Sequence, residues 1–307
     1  MKKALAIDVG GTKIYNAIIN EKGEITGEIE KHHTPKTFAE IKALFKEIIS
    51  KHEKDVDVIA FATCGAVNNS NDGILGSTGN IAPEYPTMDF KSLSTKPVFV
   101  ENDANCAAWA EHIVGSSKGM PYSIMLTLGT GVGGGIILDN KLYKGKNGAA
   151  GEMHFKMRTD KHRKCTCGSW DCFEAYASGT GLKKTAEEIS GNPDITTYDV
   201  IANCHPELDS VAINSSPDSG SEAGMTAICK KALTTWQNDI LEGIIGLANI
   251  FDPDCIILSG SMAEFVDINY LEQEANKQIV TTPFKILKAS AGNYSGMIGA
   301  ALLALGE

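Results

Sequence analysis

Leu128-Gly129-Thr130-Gly131-Val132-Gly133-Gly134-Gly135 runs directly into Ile136-Ile137-Leu138-Asp139-Asn140-Lys141, and that order decides between two α/β architectures. Gly129, Gly131 and Gly134 satisfy the G-x-G-x-x-G spacing of a dinucleotide site. Such a site needs a helix straight after the glycines, so that its N-terminus can hold a pyrophosphate. Here the glycines lead into an apolar strand and a hairpin turn, so the dinucleotide reading fails on context. A similar unit stands near residue 1. The buried strand Ala4–Val9 leads through Asp8-Val9-Gly10-Gly11-Thr12-Lys13 into a second strand, Ile14–Asn20. Glycines there let backbone N–H groups approach an anion, with Thr12 as a further donor. Asp8, at the strand end, suits a magnesium ion carried with phosphates. Taken alone, Asp8–Lys13 could be an ordinary hairpin turn with an incidental acid. Two strand–glycine-turn–strand units, one early and one mid-chain, are better explained by a nucleotide clamped between two similar domains.

Outward from these turns, the chain reads as alternating strands and helices. Glu24–Lys31 reads as a further strand after a turn at Glu21-Lys22-Gly23. From Thr37 to about His52 the apolar residues Ile41, Leu44, Phe45 and Ile48 recur at helical spacing. Val58–Thr63 and Val98–Val100 are short apolar runs of the parallel-sheet kind, and a helix is predicted over Ala104–Val114. Lys118-Gly119-Met120-Pro121 is a plausible boundary, followed by a strand at Tyr122–Leu128 and another at Gly135–Leu138. A polar loop covers Asn147–Asp171. Ala223–Ile250 reads as a long amphipathic helix, Cys255–Leu258 as a strand and Met297–Leu305 as a small-residue helix packed on another element. The expected organisation is a smaller lobe, residues 1–118 with a C-terminal helix at about 292–307, and a larger lobe, residues 119–291.

Composition sets limits on function. The 307 residues suffice for two domains, and 43% hydrophobic with 21% charged residues describe an ordinary globular protein. A formal net charge of −10 lacks the basic face that nucleic acid requires. It also means that a bound nucleotide must meet positive potential made locally, by N–H groups, lysines or a metal ion. Met1-Lys2-Lys3 enters a strand with no leader-like run, and no apolar stretch approaches the roughly 18 residues of a membrane span. The expected location is the cytoplasm. Five of the eight cysteines, Cys64, Cys106, Cys204, Cys229 and Cys255, are scattered and read as packing residues.

Glu101-Asn102-Asp103-Ala104-Asn105 closes the strand at Val98–Val100 and opens a helix. An acid at a helix start is often only a cap. Here it stands between two asparagines, whose amides suit a hydroxyl-rich ligand. A phosphoryl acceptor needs a base within hydrogen-bond reach of its hydroxyl, and Asp103 is the candidate.

With Asp8–Lys13, Asn80-Ile81, Asn102–Asn105, Leu128–Gly135, Gly151-Glu152, Cys165–Glu174 and Ser259-Gly260-Ser261 in this order, the sequence resembles the ROK (repressor, open reading frame, kinase) sugar kinases over most of its length. The resemblance implies an α/β fold of the actin-like, ribonuclease H-like ATPase and hexokinase type: two α/β lobes with a central cleft that closes on sugar and ATP. It implies that Asp103 deprotonates the sugar hydroxyl, while Asn80, Asn102, Glu152 and Glu174 hold other hydroxyls. Asp8, Gly10, Gly11, Thr12, Lys13, Gly129, Thr130 and Gly131 would serve the phosphates and magnesium, with Gly260 and Ser261 near the adenosine. A homodimer is expected on the same ground. Glucose is the expected acceptor, with N-acetylmannosamine the alternative. Gly65-Ala66-Val67-Asn68 lacks the Pro-Gly common in glucokinases, which leans toward the acetylated sugar. A DNA-binding repressor is disfavoured by the acidic balance and by a first strand lying so near residue 1. A non-catalytic sugar sensor is the alternative of a different class.

Cys165-Thr166-Cys167-Gly168-Ser169-Trp170-Asp171-Cys172 places three thiols within eight residues. Three cysteines and one histidine make a closed structural zinc set. The family places its histidine in a Glu-x-Gly-His pattern, serving both zinc and sugar. Here Glu152-Met153-His154 brings it one residue early, and Asp171 stands where glycine is common. His154 is the expected fourth ligand and a candidate sugar contact, and His162 is its rival.

Overall fold

The computed structural model describes residues 1–76, 81–157, 159–204 and 222–306. The chain divides into two compact units, Met1–Leu126 with Gly134–Glu152 and Leu287–Glu307, and Thr127–Gly133 with Met153–Ile286.

In the first unit, β1 (Lys3–Val9), β2 (Lys13–Asn20), β3 (Glu30–His33), β4 (Val58–Thr63) and β5 (Val98–Asn102) form a sheet in the order β3-β2-β1-β4-β5. β2 runs antiparallel to both its neighbours, and β4 is parallel to β1 and β5. The alternation along β1 sorts residues by size. Leu5, Ile7 and Val9 point to one face, where they meet Ile41, Phe45, Ile48 and Ile49 of α1 (Phe38–His52). Ala4 and Ala6 point to the other, as do Val58, Ala60 and Ala62 of β4, and there α2 (Asp103–Ile113) and α8 (Ser295–Gly306) pack. Small residues on that face let two helices lie close to the sheet and to each other. A Cβ at Gly299 of α8 would stand 1.7 Å from the carbonyl oxygen of Cys106 in α2. By the same parity, Asp8 belongs to the alanine face, and a Cβ at Gly296 in the first turn of α8 would lie 3.1 Å from its Oδ2.

α1 is capped as its sequence allows: Thr37 accepts from the Glu40 N–H, and Glu40 reaches back to the Thr37 N–H. The strand expected at Glu24–Lys31 forms later and shorter, at Glu30–His33. Gly27 interrupts the earlier stretch, which makes a single β-bridge to the sheet, Ile19–Ile25.

The second unit carries α3 (Glu174–Ala177), α4 (Gly179–Ser190), α5 (Thr197–Cys204), α6 (Glu222–Phe251) and α7 (Ile268–Gln278). Trp236 of α6 is fully buried and donates its Nε1–H to the carbonyls of Ala177 and Ser178, both at 3.0 Å. Phe173 stacks on Phe155 at 4.8 Å and lies where a Cβ at Gly243 would be, which seats α3 on α6. A second five-stranded sheet has the order β10-β9-β6-β7-β8, from β6 (Ser123–Leu128), β7 (Val132–Leu138), β8 (Lys141–Leu142), β9 (Cys255–Ser259) and β10 (Lys285–Lys288). β7 begins inside the glycine run, at Val132 rather than at Gly135, so the turn itself is Gly129–Gly131. Among the described residues no helix is long and apolar enough to cross a membrane.

Candidate functional site

Asp103 is the first residue of α2, and the cap of that helix is its neighbour. Asn102 Oδ1 accepts the N–H groups of Ala104 and Asn105 at 3.0 and 3.1 Å, and its Nδ2 donates to the Gly65 carbonyl at 3.2 Å. The cap thus leaves the Asp103 carboxylate one local tie, an N–H of Ala104 at 2.8 Å. Burial pushes the Asp103 carboxyl up to about 6, and the negative charge of Glu152 adds to the shift. Asp8 rises further, to about 7, through burial and the charge of Asp103. Two half-buried acids with raised carboxyls, one of them lifted further by the charge of the other, are a place where a cation or an acceptor hydroxyl is favoured.

Glu101, in β5 two residues before Asp103, is completely buried. Its Oε1 accepts from the Asn102 N–H at 2.8 Å and from Asn105 Nδ2 at 3.1 Å. Its Oε2 accepts from Asn71 Nδ2 and pairs with Lys144 Nζ, each at 2.8 Å. Nothing in the sequence singles it out, because an acid ending an apolar strand looks like a strand terminus. A cavity of about 260 Å³ lies beside it, lined in part by Trp109, Lys144 and Leu302. Glu152 is exposed and succeeds Gly151 in a segment without regular structure.

The first glycine turn is tight. The Gly10 N–H donates to the Lys13 carbonyl at 3.0 Å, and Thr34 holds the Gly10 carbonyl through its hydroxyl at 2.6 Å. Gly11, Thr12 and Lys13 are exposed at its tip. Asn80 lies outside the described residues.

In the second unit, the Gly129 N–H donates to the Gly131 carbonyl at 3.0 Å, and the Gly129 carbonyl accepts from Gly179 at 2.8 Å. Thr130 presents its carbonyl to the Thr180 hydroxyl at 2.8 Å. Gly260 has φ of +87°, and a Cβ on it would stand 2.3 Å from the Leu128 carbonyl oxygen, so only glycine fits. Ser261 opens the short 3-10 helix next to it. Glu174 is already engaged: Oε2 accepts the Val132 N–H at 3.1 Å, and Oε1 accepts the Thr166 hydroxyl at 2.5 Å.

His154, Cys165, Cys167 and Cys172 bring their ligand atoms within 4.8 Å of one another. Cys167 and Cys172 Sγ are 3.6 Å apart, and Cys165 Sγ is 3.7 Å from His154 Nδ1. A tetrahedral ion with Zn–S near 2.3 Å needs edges of about 3.8 Å, so the donor set fits zinc in both chemistry and size. Burial pushes the Cys165 thiol up to about 12, and a bound cation is what would hold it as a thiolate. The rival His162 turns elsewhere, its Nδ1 3.1 Å from Asp171 Oδ2. Asp171 adopts φ of +59°, as a glycine would. It adds what glycine cannot, accepting the Arg163 N–H at 2.8 Å and the Tyr176 hydroxyl at 2.7 Å.

The chain as a whole has counterparts among known proteins. The sequence profile of the ROK family matches residues 4–307. A glucokinase of Streptomyces coelicolor is 30% identical over 332 aligned residues, covering 99% of this chain and 98% of that one. An N-acetylmannosamine kinase of Yersinia pseudotuberculosis is 31% identical over 316 residues, covering 99% of each. The crystal structure of a ROK family glucokinase from Streptomyces griseus, in complex with glucose and AMPPNP, superposes with a TM-score of 0.76 at 27% identity, covering 99% of this chain and 100% of that one.

Proposed function

The chain belongs to the ROK family and is an ATP-dependent sugar kinase with the actin-like fold of ROK hexokinases, and from that premise we propose that it phosphorylates the 6-hydroxyl of glucose. The observation that carries this reading is Asp103: a carboxyl raised to about 6 at a helix start, with its neighbour rather than itself serving as the cap. Such a group accepts a hydroxyl proton near neutral pH. As the proton moves to Asp103, the sugar oxygen bonds to the γ-phosphorus, the bond from that phosphorus to the β–γ bridging oxygen breaks, and ADP leaves.

The other roles rest on placement. Asp8 would hold magnesium, whose charge offsets that of the phosphates. The exposed tip Gly11–Lys13 and the turn Gly129–Gly131 would serve phosphates, and Gly260 with Ser261 the adenosine. Asn102, Glu152 and Glu174 would meet sugar hydroxyls, although the first is a cap and the last is engaged in the structure. Zinc on His154, Cys165, Cys167 and Cys172 would pin the loop between Glu152 and Glu174, with His154 then committed to metal more than to sugar. None of the eight cysteines is joined in a disulfide, in keeping with the reducing cytoplasm, and a homodimer is the assembly we propose there.

The test is a coupled ATP-consumption assay with magnesium across glucose, mannose, fructose, allose, N-acetylglucosamine and N-acetylmannosamine. Turnover on glucose, lost in Asp103→Asn, supports the proposal. Preference for N-acetylmannosamine would move the substrate to the other relative's sugar. Binding of sugar without turnover in the zinc-loaded protein would leave a sensor.

A further inference from the structure

Thr166 stands between two of the clustered thiols, Cys165 and Cys167, with its hydroxyl 4.0 Å from the Cys165 sulfur and closer to a carboxylate. Its hydroxyl donates to Glu174 Oε1 at 2.5 Å. Oε2 of the same carboxylate accepts the Val132 N–H at 3.1 Å. That oxygen also fills the space beside Gly131, where a Cβ would come within 2.5 Å of it. One carboxylate therefore joins the cysteine loop to the second glycine turn, with an oxygen on each.

The anchor of this link is rigid. Glu174 opens α3 directly after Phe173, which is fully buried against Phe155 and α6. Any freedom is thus in the Glu174 side chain, and Thr166 is what restrains it at Oε1, with the Cys165 sulfur more distant at 3.4 Å. Ligation of Cys165 and Cys167 would fix the backbone on both sides of Thr166 and leave its hydroxyl one position. Without that restraint, the carboxylate is free to turn further across Gly131, where the absent side chain already admits its Oε2. There it would compete with a phosphate for the same N–H groups, as one anion against another.

We propose that Thr166 is a positioning residue for the second glycine turn, acting through Glu174, and that metal loading of the cysteine cluster is thereby coupled to nucleotide binding. The inference rests on the proposed role of Gly129–Gly131 in holding nucleotide phosphates. The coupling has a definite sign: metal favours nucleotide. Because coupling between two ligands is reciprocal, nucleotide must favour metal by the same factor.

The experiment uses the full chain without sugar. Calorimetry with a non-hydrolysable ATP analogue, at constant magnesium, compares zinc-loaded protein with protein stripped by a zinc-selective chelator. The wild type is expected to lose about tenfold in nucleotide affinity on stripping. Thr166→Val should keep its zinc yet bind the analogue as weakly as stripped wild type, and Thr166→Ser should restore binding. In competition with a chelator of known affinity, saturating analogue should tighten zinc binding about tenfold in wild type and leave Thr166→Val unchanged. Full nucleotide affinity in zinc-loaded Thr166→Val overturns the inference. So does a wild-type zinc affinity indifferent to nucleotide, a measurement that needs no variant to fold. If wild type binds no analogue at all, the reading of the turn itself falls, and this inference with it.

Discussion

Asp103 has to be a base and a partly buried charge at once, and the two demands have opposite signs. Its carboxyl lies at about 6, against an ordinary 3.8. The folded protein therefore holds the proton more tightly than the unfolded chain does. Between roughly pH 4 and 6 the unfolded chain has released it and the folded one has not, so stability falls as pH rises through that window. Asp103→Asn removes the charge, and thermal melts at pH 7.5 should show a higher midpoint than wild type, with no measurable turnover. In wild type, kcat/KM should rise with pH about an inflection near 6, since only the ionised carboxylate accepts a proton. A flat profile between pH 5 and 7 would remove Asp103 from that role. At this scale the sequence was partly legible. Asp103 and the four metal-cluster residues stand in readable motifs. Glu101 does not, because its importance lies in four donors from Asn71, Asn102, Asn105 and Lys144 that only the fold brings together. Asp171 is intermediate: the departure from glycine was visible, but its ties to Arg163 and Tyr176 were not.

Elements were legible in proportion to how much apolar pattern they carry. α1, β4 and α6 lie close to where their periodicity places them. α7 was not anticipated, because only Leu271 and Ala275 of its eleven residues are buried, too few to establish a period. The contact of α8 with α2 offers a test of packing between elements. Gly299→Ala puts a methyl group onto the Cys106 carbonyl, so the helices must part, at a cost of about 1–3 kcal/mol. Gly246 in α6 is the matched control, with nothing within 4 Å of its would-be Cβ. Gly246→Ala should instead stabilise by about 0.5–1 kcal/mol through helix propensity. Urea midpoints of the two variants would separate these outcomes, and equal shifts would contradict the close approach at Gly299.

For the whole molecule, the relevant quantity is the net charge of −10. A magnesium nucleotide is also an anion, so the long-range field opposes its approach even where local N–H groups welcome it. Added salt screens that repulsion, with a Debye length of about 8 Å at 0.15 M. Stopped-flow association of the nucleotide should therefore speed up as salt is raised from low to roughly physiological ionic strength, whereas a basic binding channel would give the reverse dependence. Fold and family were legible at this scale because seven short motifs occur in one order. The acceptor sugar was not, since hexoses differ by single hydroxyl orientations that side-chain geometry, not residue type, discriminates. Glu152→Gln addresses this directly: sugar binding should weaken much more than nucleotide binding.

The alanine face of the first sheet has a consequence for the order in which the protein can be made. β1 leaves the ribosome well before α8, which covers one side of it and is encoded almost 300 codons downstream. At about 5–20 residues per second, the strand waits roughly a quarter of a minute to a minute for its helix. Nascent chains halted before Ser295 should therefore remain sensitive to protease in β1 and β4, however fully the intervening segments have folded.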